Sequence, residues 1–397
     1  MKKIKVPAKD YELSHQYGKY RGNELQYVQE FLSNTKIPWT YRFEKAFAEK
    51  FGMNYAIAHN SCTSALHSAL ATCAINWPTE EVISPGLTVI MDAFATLYTG
   101  ARPVFADIDP ETFNIDPLDI LRKITTKTRA IIVVHLYGLP ADMDPIMKIA
   151  KERFLWVIED SAQCMLGTYK GRLAGTIGHI GCFSFERSKH LAIGEGGMVI
   201  TQNAALTERM RKSAGLGYKN LTADQGRMQV VPSEFQDPEY KRHDALGYNY
   251  RMPEICAAVG LAQLERVDEI VARRQAVAKL FAEAIDNCEW MIPQKTPEEC
   301  TNTYYTYAVR YEGQLAIGVS WREFYNKYLE MGGDGFYGCY SVPYQEPALK
   351  KMFIDGNCPV AEATQPKLMQ FKTNYRDMEL AKRKAEALRK TIKALGA

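Results

Sequence analysis

The sequence has no long apolar run. Aliphatic stretches such as Ile131-Ile132-Val133-Val134 stop after four residues, where a membrane-crossing helix needs roughly 20. The N-terminal MKKIKVPAKDYELSHQ carries lysines with no apolar core behind them, so it is not expected to be a signal peptide. The chain also lacks an excess of charge. Its formal net charge is +3, which gives no reason to expect nucleic acid or a membrane surface as a partner. It has no CxxC pair; its nine cysteines are scattered at 62, 73, 164, 182, 256, 288, 300, 339 and 358. An odd, dispersed set reads as reduced thiols serving as small apolar residues, in a cytoplasmic protein with no metal site. Glycine and proline form no tract, so no disordered linker is expected. No repeat of solenoid spacing is present. No GxGxxG follows the first strand, which argues against a nucleotide-dependent reductase.

What is present is an ordinary globular composition, 46% hydrophobic and 24% charged over 397 residues, long enough for two domains. Strand-like and helix-like segments alternate, the pattern of βα units on a largely parallel, doubly wound sheet. Residues 24–51 read as helix, with Phe43, Phe47 and Phe51 on one face. Strands are expected at YAIAHN (55–60), EVISPG (81–86), ARPVFADID (101–109), RAIIVVHLYG (129–138) and FLWVIED (154–160). A long amphipathic helix is expected from about Pro253 to 285, closing a large domain at residues 1–285. After it, TYYTYAVRYE, WREFYNKYLEMG and a final amphipathic helix suggest a smaller α+β domain over 286–397. Segment 215–245 reads as a long loop, of the kind that is often functional or covers a partner subunit.

Several residues fall where such a sheet gathers ligands, at the carboxyl ends of its strands. Asp160 follows the apolar run FLWVI and needs a cationic or donor partner if ionised. His135 also ends a strand and is either a core histidine or turned to the same crevice. Ser61 reads as a helix cap with Thr63 and Ser64 in the first turn. Free N–H groups and hydroxyls there serve a phosphate or simply cap the helix. In FSFERSKHLAIGEGGMVIT (183–201), Lys189 sits in a polar turn boxed between two strands. A lysine so placed, a strand-end carboxylate and an anion cradle are the parts a pyridoxal phosphate enzyme needs.

The motifs NSCTSALHSAL, GARPVFADID, VVHLYG, VIEDSAQCMLGTYKGRLAGTIGHIGCFSF, SKHLAIGEGGMVIT and GYNYRMPEICAAVGLAQLERVDEIVARR occur in that order. Together they resemble the sugar aminotransferases of the DegT/DnrJ/EryC1/StrS family, which have the fold of type I pyridoxal phosphate enzymes. The resemblance implies that Lys189 carries the cofactor covalently and moves protons. It implies that Asp160 pairs with the pyridine nitrogen and that Gln163 lies close to the ring. It also implies that Ser184, Thr63 and Ser64 bind the phosphate, with Asn249 reaching it from a neighbouring subunit. A homodimer with shared active sites follows, with glutamate as amino donor and a keto- or aldehydo-sugar as acceptor. By base rate that acceptor is a nucleotide-linked 4-keto-6-deoxy hexose for surface polysaccharide or lipopolysaccharide sugars.

Three departures bear on the substrate. Val89 follows Thr88 where the family has an aromatic that stacks on the ring, and Cys62 stands where a glycine is usual. Tyr304, Tyr305 and Tyr307 replace a histidine-containing run, and QFKTNYRD replaces a proline-rich closing motif. These keep open a free 3-deoxy-octulosonate sugar acid oxidised at C8, for whose carboxylate Arg187, Lys170 and Arg172 are candidate cations. A sugar dehydratase, which has histidine in place of the lysine, fits less well, because His190 is one position out of register.

Overall fold

The computed structural model describes residues 20–396, apart from 35, 74, 76, 77, 225 and 227–231. The N-terminal segment read above for a signal peptide therefore lies outside the described residues. The expected strands form, each where an apolar run meets a turn: β1 Tyr55–His59, β2 Glu81–Pro85, β3 Arg102–Ala106, β4 Thr128–Val134 and β5 Trp156–Asp160. The glycine-rich segment after them folds as a two-residue-strand hairpin, β6 Thr168–Tyr169 and β7 Arg172–Leu173, before β8 Ile180–Ser184 and β9 Gly197–Thr201. Among the described residues β1–β5, β8 and β9 form one sheet in the order β1-β9-β8-β5-β4-β2-β3. Every pairing from β3 across to β8 is parallel, and β9 alone runs against its neighbours β8 and β1. The sheet is buried on both faces, as helix-covered parallel sheets are.

Two segments read as continuous helix are broken. The first divides into Glu24–Ser33 and Trp39–Phe51. Pro38 lies between them, biasing Ile37 away from helical angles and lacking an N–H of its own. Phe43, Phe47 and Phe51 line one side of the second piece, with Phe47 edge-on to Phe183 at 5.1 Å. The long helix divides into Glu254–Leu264 and Val267–Ile285. Its two ends serve different cores, with Val267 and Val271 still on the first. Ala257, Ala258, Leu261 and Leu264 pack with the N-terminal aromatics, whereas Val277, Phe281 and Ile285 pack against the C-terminal sheet. At the break Glu265 accepts hydrogen bonds from Asn23 Nδ2 (2.8 Å) and Tyr27 Oη (2.6 Å).

The smaller sheet comprises β10 Met291–Pro293, β12 Thr306–Tyr311 and β13 Leu368–Lys372; β11 Cys300–Thr301 instead joins the β6–β7 hairpin. Helices Trp321–Glu330 and Met378–Ala394 cover the small sheet, as their periodicity requires. Residues between them return to the large core: Val342, Tyr344, Leu349, Ile354 and Cys358 share a cluster with Val82 and Phe105. Asp107 fixes that return by accepting from Val360 N and Ala361 N, both at 2.8 Å, at the start of helix Pro359–Thr364. The loop after 214 holds a five-residue helix, Pro232–Gln236. All nine cysteines are free thiols, and among the described residues no helix is long and apolar enough to cross a membrane.

Candidate active site

The C-terminal ends of β2, β4, β5 and β8 open on one edge of the sheet. Asp160 is the last residue of β5, held between Val134 and Cys182. It is 3% exposed, and its Oδ1 accepts from Ala162 N at 2.8 Å. Burial pushes its carboxyl up from the ordinary carboxylate range, opposed by the Ala162 amide, the charge of Lys189 and the Asp92 carboxyl. Glu159, one residue earlier, points to the opposite face because strand side chains alternate. It is fully buried and accepts from Gly175 N and Ile177 N, each at 2.7 Å, and from Gly178 N at 2.5 Å. His135 completes that cluster. Its Nδ1 accepts from Ala141 N at 3.0 Å, so Nε2 carries the proton and donates to Glu159 Oε2 at 2.8 Å. His135 is thus a satisfied core histidine that braces the floor of the site.

The helix Cys62–Thr72 begins over the same edge. Ser61 caps it in full: its Oγ accepts from Ser64 N, while Ser64 Oγ accepts from Ser61 N. The Ser64 hydroxyl is thereby engaged locally, also meeting Asn60 Oδ1 at 2.7 Å, whereas Thr63 is half-buried in the first turn. Gly197 lets this helix start sit against β9, since a Cβ there would lie 2.5 Å from the Ser61 carbonyl oxygen. Cys62 Sγ lies 3.9 Å from Asp160 Oδ1. A helix start, its unused first-turn amides and a buried carboxylate thus face one space, as pyridoxal phosphate requires of its phosphate and its ring nitrogen.

Lys189 enters from the β8–β9 loop. Ser184 ends β8 and is 7% exposed, and its Oγ accepts from Glu186 N at 3.3 Å. Lys189 N donates to Glu186 O at 2.9 Å, which closes the turn. The Lys189 ammonium sits 4.5 Å from the ring centroid of Tyr305, a cation–π contact. Tyr305 Oη lies 2.9 Å from Ser188 Oγ, which in turn donates to Glu186. Gly138 (φ +107°) admits this segment, because a Cβ there would lie 2.5 Å from Tyr304 N. Arg274 locks the arrangement from behind. It is 5% exposed and donates to the carbonyls of Tyr305 (2.8 Å), Ser188 (2.9 Å) and Lys189 (3.1 Å). Burial lowers its guanidinium to about 10. Replacing Arg274 with Met removes the donor to the Ser188 and Lys189 carbonyls, while Thr373 Oγ1 still reaches that of Tyr305 at 2.9 Å, and the variant is expected to lose about 2 kcal/mol or more of stability in a urea titration.

Of the residues singled out in the sequence, Lys189, Asp160, Ser184 and the Ser61–Ser64 helix start meet at this edge. Gln163 is 8% exposed and its Oε1 accepts from Tyr137 N at 2.8 Å, on the adjacent turn. Asn249 is exposed beside the helix start, its carbonyl accepting from Asn60 Nδ2 at 3.3 Å. His190 turns away: it is 3% exposed and donates Nε2–H to the Thr303 carbonyl at 3.0 Å. Burial and the nearby Arg274 charge hold its imidazole well below the ordinary range. Two of the three cations suggested for a sugar acid are committed elsewhere, with Lys170 and Arg172 both paired to Asp144 at 2.7 and 2.6 Å. Arg187 pairs with Glu186 at 3.4 Å. No sequence pattern marks Glu159, Arg274 or Asp92, and Tyr305 is marked only as a departure from the family. Only Tyr305 gave a signal, in its tyrosine-rich run.

The chain matches the DegT/DnrJ/EryC1/StrS aminotransferase family over residues 19–381. It is 39% identical over 292 residues to GDP-perosamine synthase of Escherichia coli O157:H7, covering 72% of this chain and 75% of that one. It is 42% identical over 268 residues to GDP-perosamine synthase of Caulobacter vibrioides, covering 66% and 67%. The solved aminotransferase from Psychrobacter cryohalolentis superposes with a TM-score of 0.87 at 29% identity, over 96% of this chain and 98% of that one. The fold is accordingly that of type I pyridoxal phosphate aminotransferases, and the chain belongs to the DegT/DnrJ/EryC1/StrS family as a pyridoxal phosphate-dependent sugar aminotransferase.

Proposed function

We propose that this enzyme moves an amino group from glutamate to a nucleotide-linked 4-keto-6-deoxy hexose, for sugars of surface polysaccharide or lipopolysaccharide. The observation that carries the reading is Lys189 set 4.5 Å from the Tyr305 ring centroid with its charge acting on the buried Asp160 carboxyl. The names of two relatives further suggest guanosine diphosphate as the nucleotide. Bound pyridoxal phosphate supplies an electron sink and a temporary carrier for the amine. Lys189 Nζ would be the base that takes the proton from the donor's Cα and gives it back across the nitrogen, and would run the same transfer in reverse for the sugar. Asp160 keeps a proton on the pyridine nitrogen. The helix start at Cys62, with Thr63 and Ser184, would hold the phosphate, Ser64 would join them only by giving up its cap bonds to Ser61 and Asn60, and Gln163 would orient the ring.

The protein works in the cytoplasm as a homodimer, the exposed Asn249 of each copy completing its neighbour's phosphate site. The large part, 1–285, holds the cofactor, and 286–397 helps shape the sugar pocket. The test is a panel of keto- and aldehydo-sugars, nucleotide-linked and free, offered to enzyme loaded with pyridoxamine phosphate. Return of the pyridoxal phosphate absorbance is expected with a guanosine diphosphate-linked 4-keto-6-deoxy hexose. Turnover of free sugar acids alone would overturn the substrate assignment.

A further inference from the structure

Asp92 lies in the first turn of helix Met91–Tyr98 and is fully buried. Its Oδ2 accepts from Thr88 Oγ1 at 2.8 Å. Its Oδ1 has no partner among ordinary donors. The group it faces is Asp160, close enough for each carboxyl to act on the other. Two buried carboxylates cannot share such a contact when both are ionised. One proton resolves both facts: an O–H at Asp92 Oδ1 satisfies the orphan oxygen and gives Asp160 a donor. The proton belongs to Asp92 and not to Asp160. Asp160 already has the Ala162 amide and the nearby charge of Lys189 to favour its ionised form. Asp92 has only the Thr88 hydroxyl, and burial with the Asp160 charge pushes its carboxyl well above the ordinary range.

We propose that Asp92 is a positioning residue that stays a neutral carboxylic acid and donates a hydrogen bond to Asp160, holding that carboxylate ionised and oriented toward the cofactor's pyridine nitrogen. The inference rests on Asp160 being the partner of that nitrogen. The other titratable groups facing the pair are Cys62 on the capped helix, Cys182 on β8 and Lys189 on the loop, while His135 acts on Asp160 only through its charge, from the Glu159 face of the sheet.

An amide can imitate a neutral acid here, accepting from Thr88 and donating to Asp160, whereas alanine can do neither. The experiment compares wild type, Asp92→Asn, Asp92→Ala and Asp160→Asn as cofactor-loaded enzyme. Two readouts are taken: cofactor affinity by equilibrium dialysis, and the pH midpoint of the bound cofactor's absorbance. Asp92→Asn is expected to match wild type in both. Asp92→Ala is expected to bind cofactor about 10- to 100-fold more weakly, the usual worth of a hydrogen bond to a charged group, and to shift the absorbance midpoint. If Asp92→Asn is as impaired as Asp92→Ala, or if Asp92→Ala matches wild type, the proposal is overturned. Should the alanine variant fail to fold, the asparagine variant still decides, because an ionised Asp92 could not be replaced silently. Asp160→Asn separates the premise: if it leaves affinity and midpoint unchanged, the assignment of Asp160 fails and the proposal falls with it.

Discussion

Lys189→Ala is expected to cut transamination by at least about 10³-fold and still to take up pyridoxamine phosphate. The loss follows from the position of Nζ, 4.5 Å from the Tyr305 ring centroid and close enough for its charge to act on the Asp160 carboxyl. Tyr305 Oη is engaged with Ser188 Oγ at 2.9 Å. His190, the adjacent imidazole, donates to Thr303 and is buried away from the site. Retained binding follows from how the loop is held. Its closure uses the backbone of Lys189, through Glu186 O and Arg274, and not the side chain. The variant should therefore melt near the wild-type temperature. Single-turnover absorbance with glutamate checks the first part and equilibrium dialysis the second. Turnover within tenfold of wild type would remove Lys189 from its role.

The second large effect concerns stability. Glu159→Leu is expected to leave the protein largely unfolded. The substitution takes the acceptor from three backbone amides, Gly175, Ile177 and Gly178, and from His135 Nε2. Each stranded buried donor costs about 1–3 kcal/mol, and four together rival the ~5–15 kcal/mol that a whole domain has in reserve. Glu159→Gln keeps the shape and one acceptor oxygen and should cost about half as much. Urea unfolding of the three proteins gives the ordering. A Glu159→Leu protein that folds with wild-type stability would show that these hydrogen bonds are replaceable.

The contrast between these neighbours explains what was legible in the sequence. Asp160 and Lys189 stood out because a strand-end acid and a boxed lysine carry a chemistry. Glu159 has the same composition signal as Asp160, and its role is set by backbone amides 16 to 19 residues onward. Arg274 grips carbonyls at 188, 189 and 305, pairings that only tertiary folding creates. Asp92 was passed over inside a well-formed amphipathic helix. The strands of the main sheet were readable because each is an apolar run ended by a turn. The helix breaks at Pro38 and Arg266 were harder, since hydrophobic spacing continues through both. The return of residues 342–361 to the large core was hidden because nothing in their pattern names the core they join.

The reversed strand β9 governs when the site can come into being. It pairs with β1 on one side and β8 on the other, so residues 55–59 must find residues 197–201 across a long stretch of chain. Such a closure is slow, because its entropic cost precedes any contact. Ser61 and Thr63 hang from β1, Ser184 and Lys189 from β8, and β9 is the strand that brings the two together. The cradle and the lysine consequently arise in one late event. A chain emerging from the ribosome can hold no half-made cofactor site until residue 201 is free to fold back, and the reactive aldehyde of the cofactor meets Lys189 only in a domain already assembled.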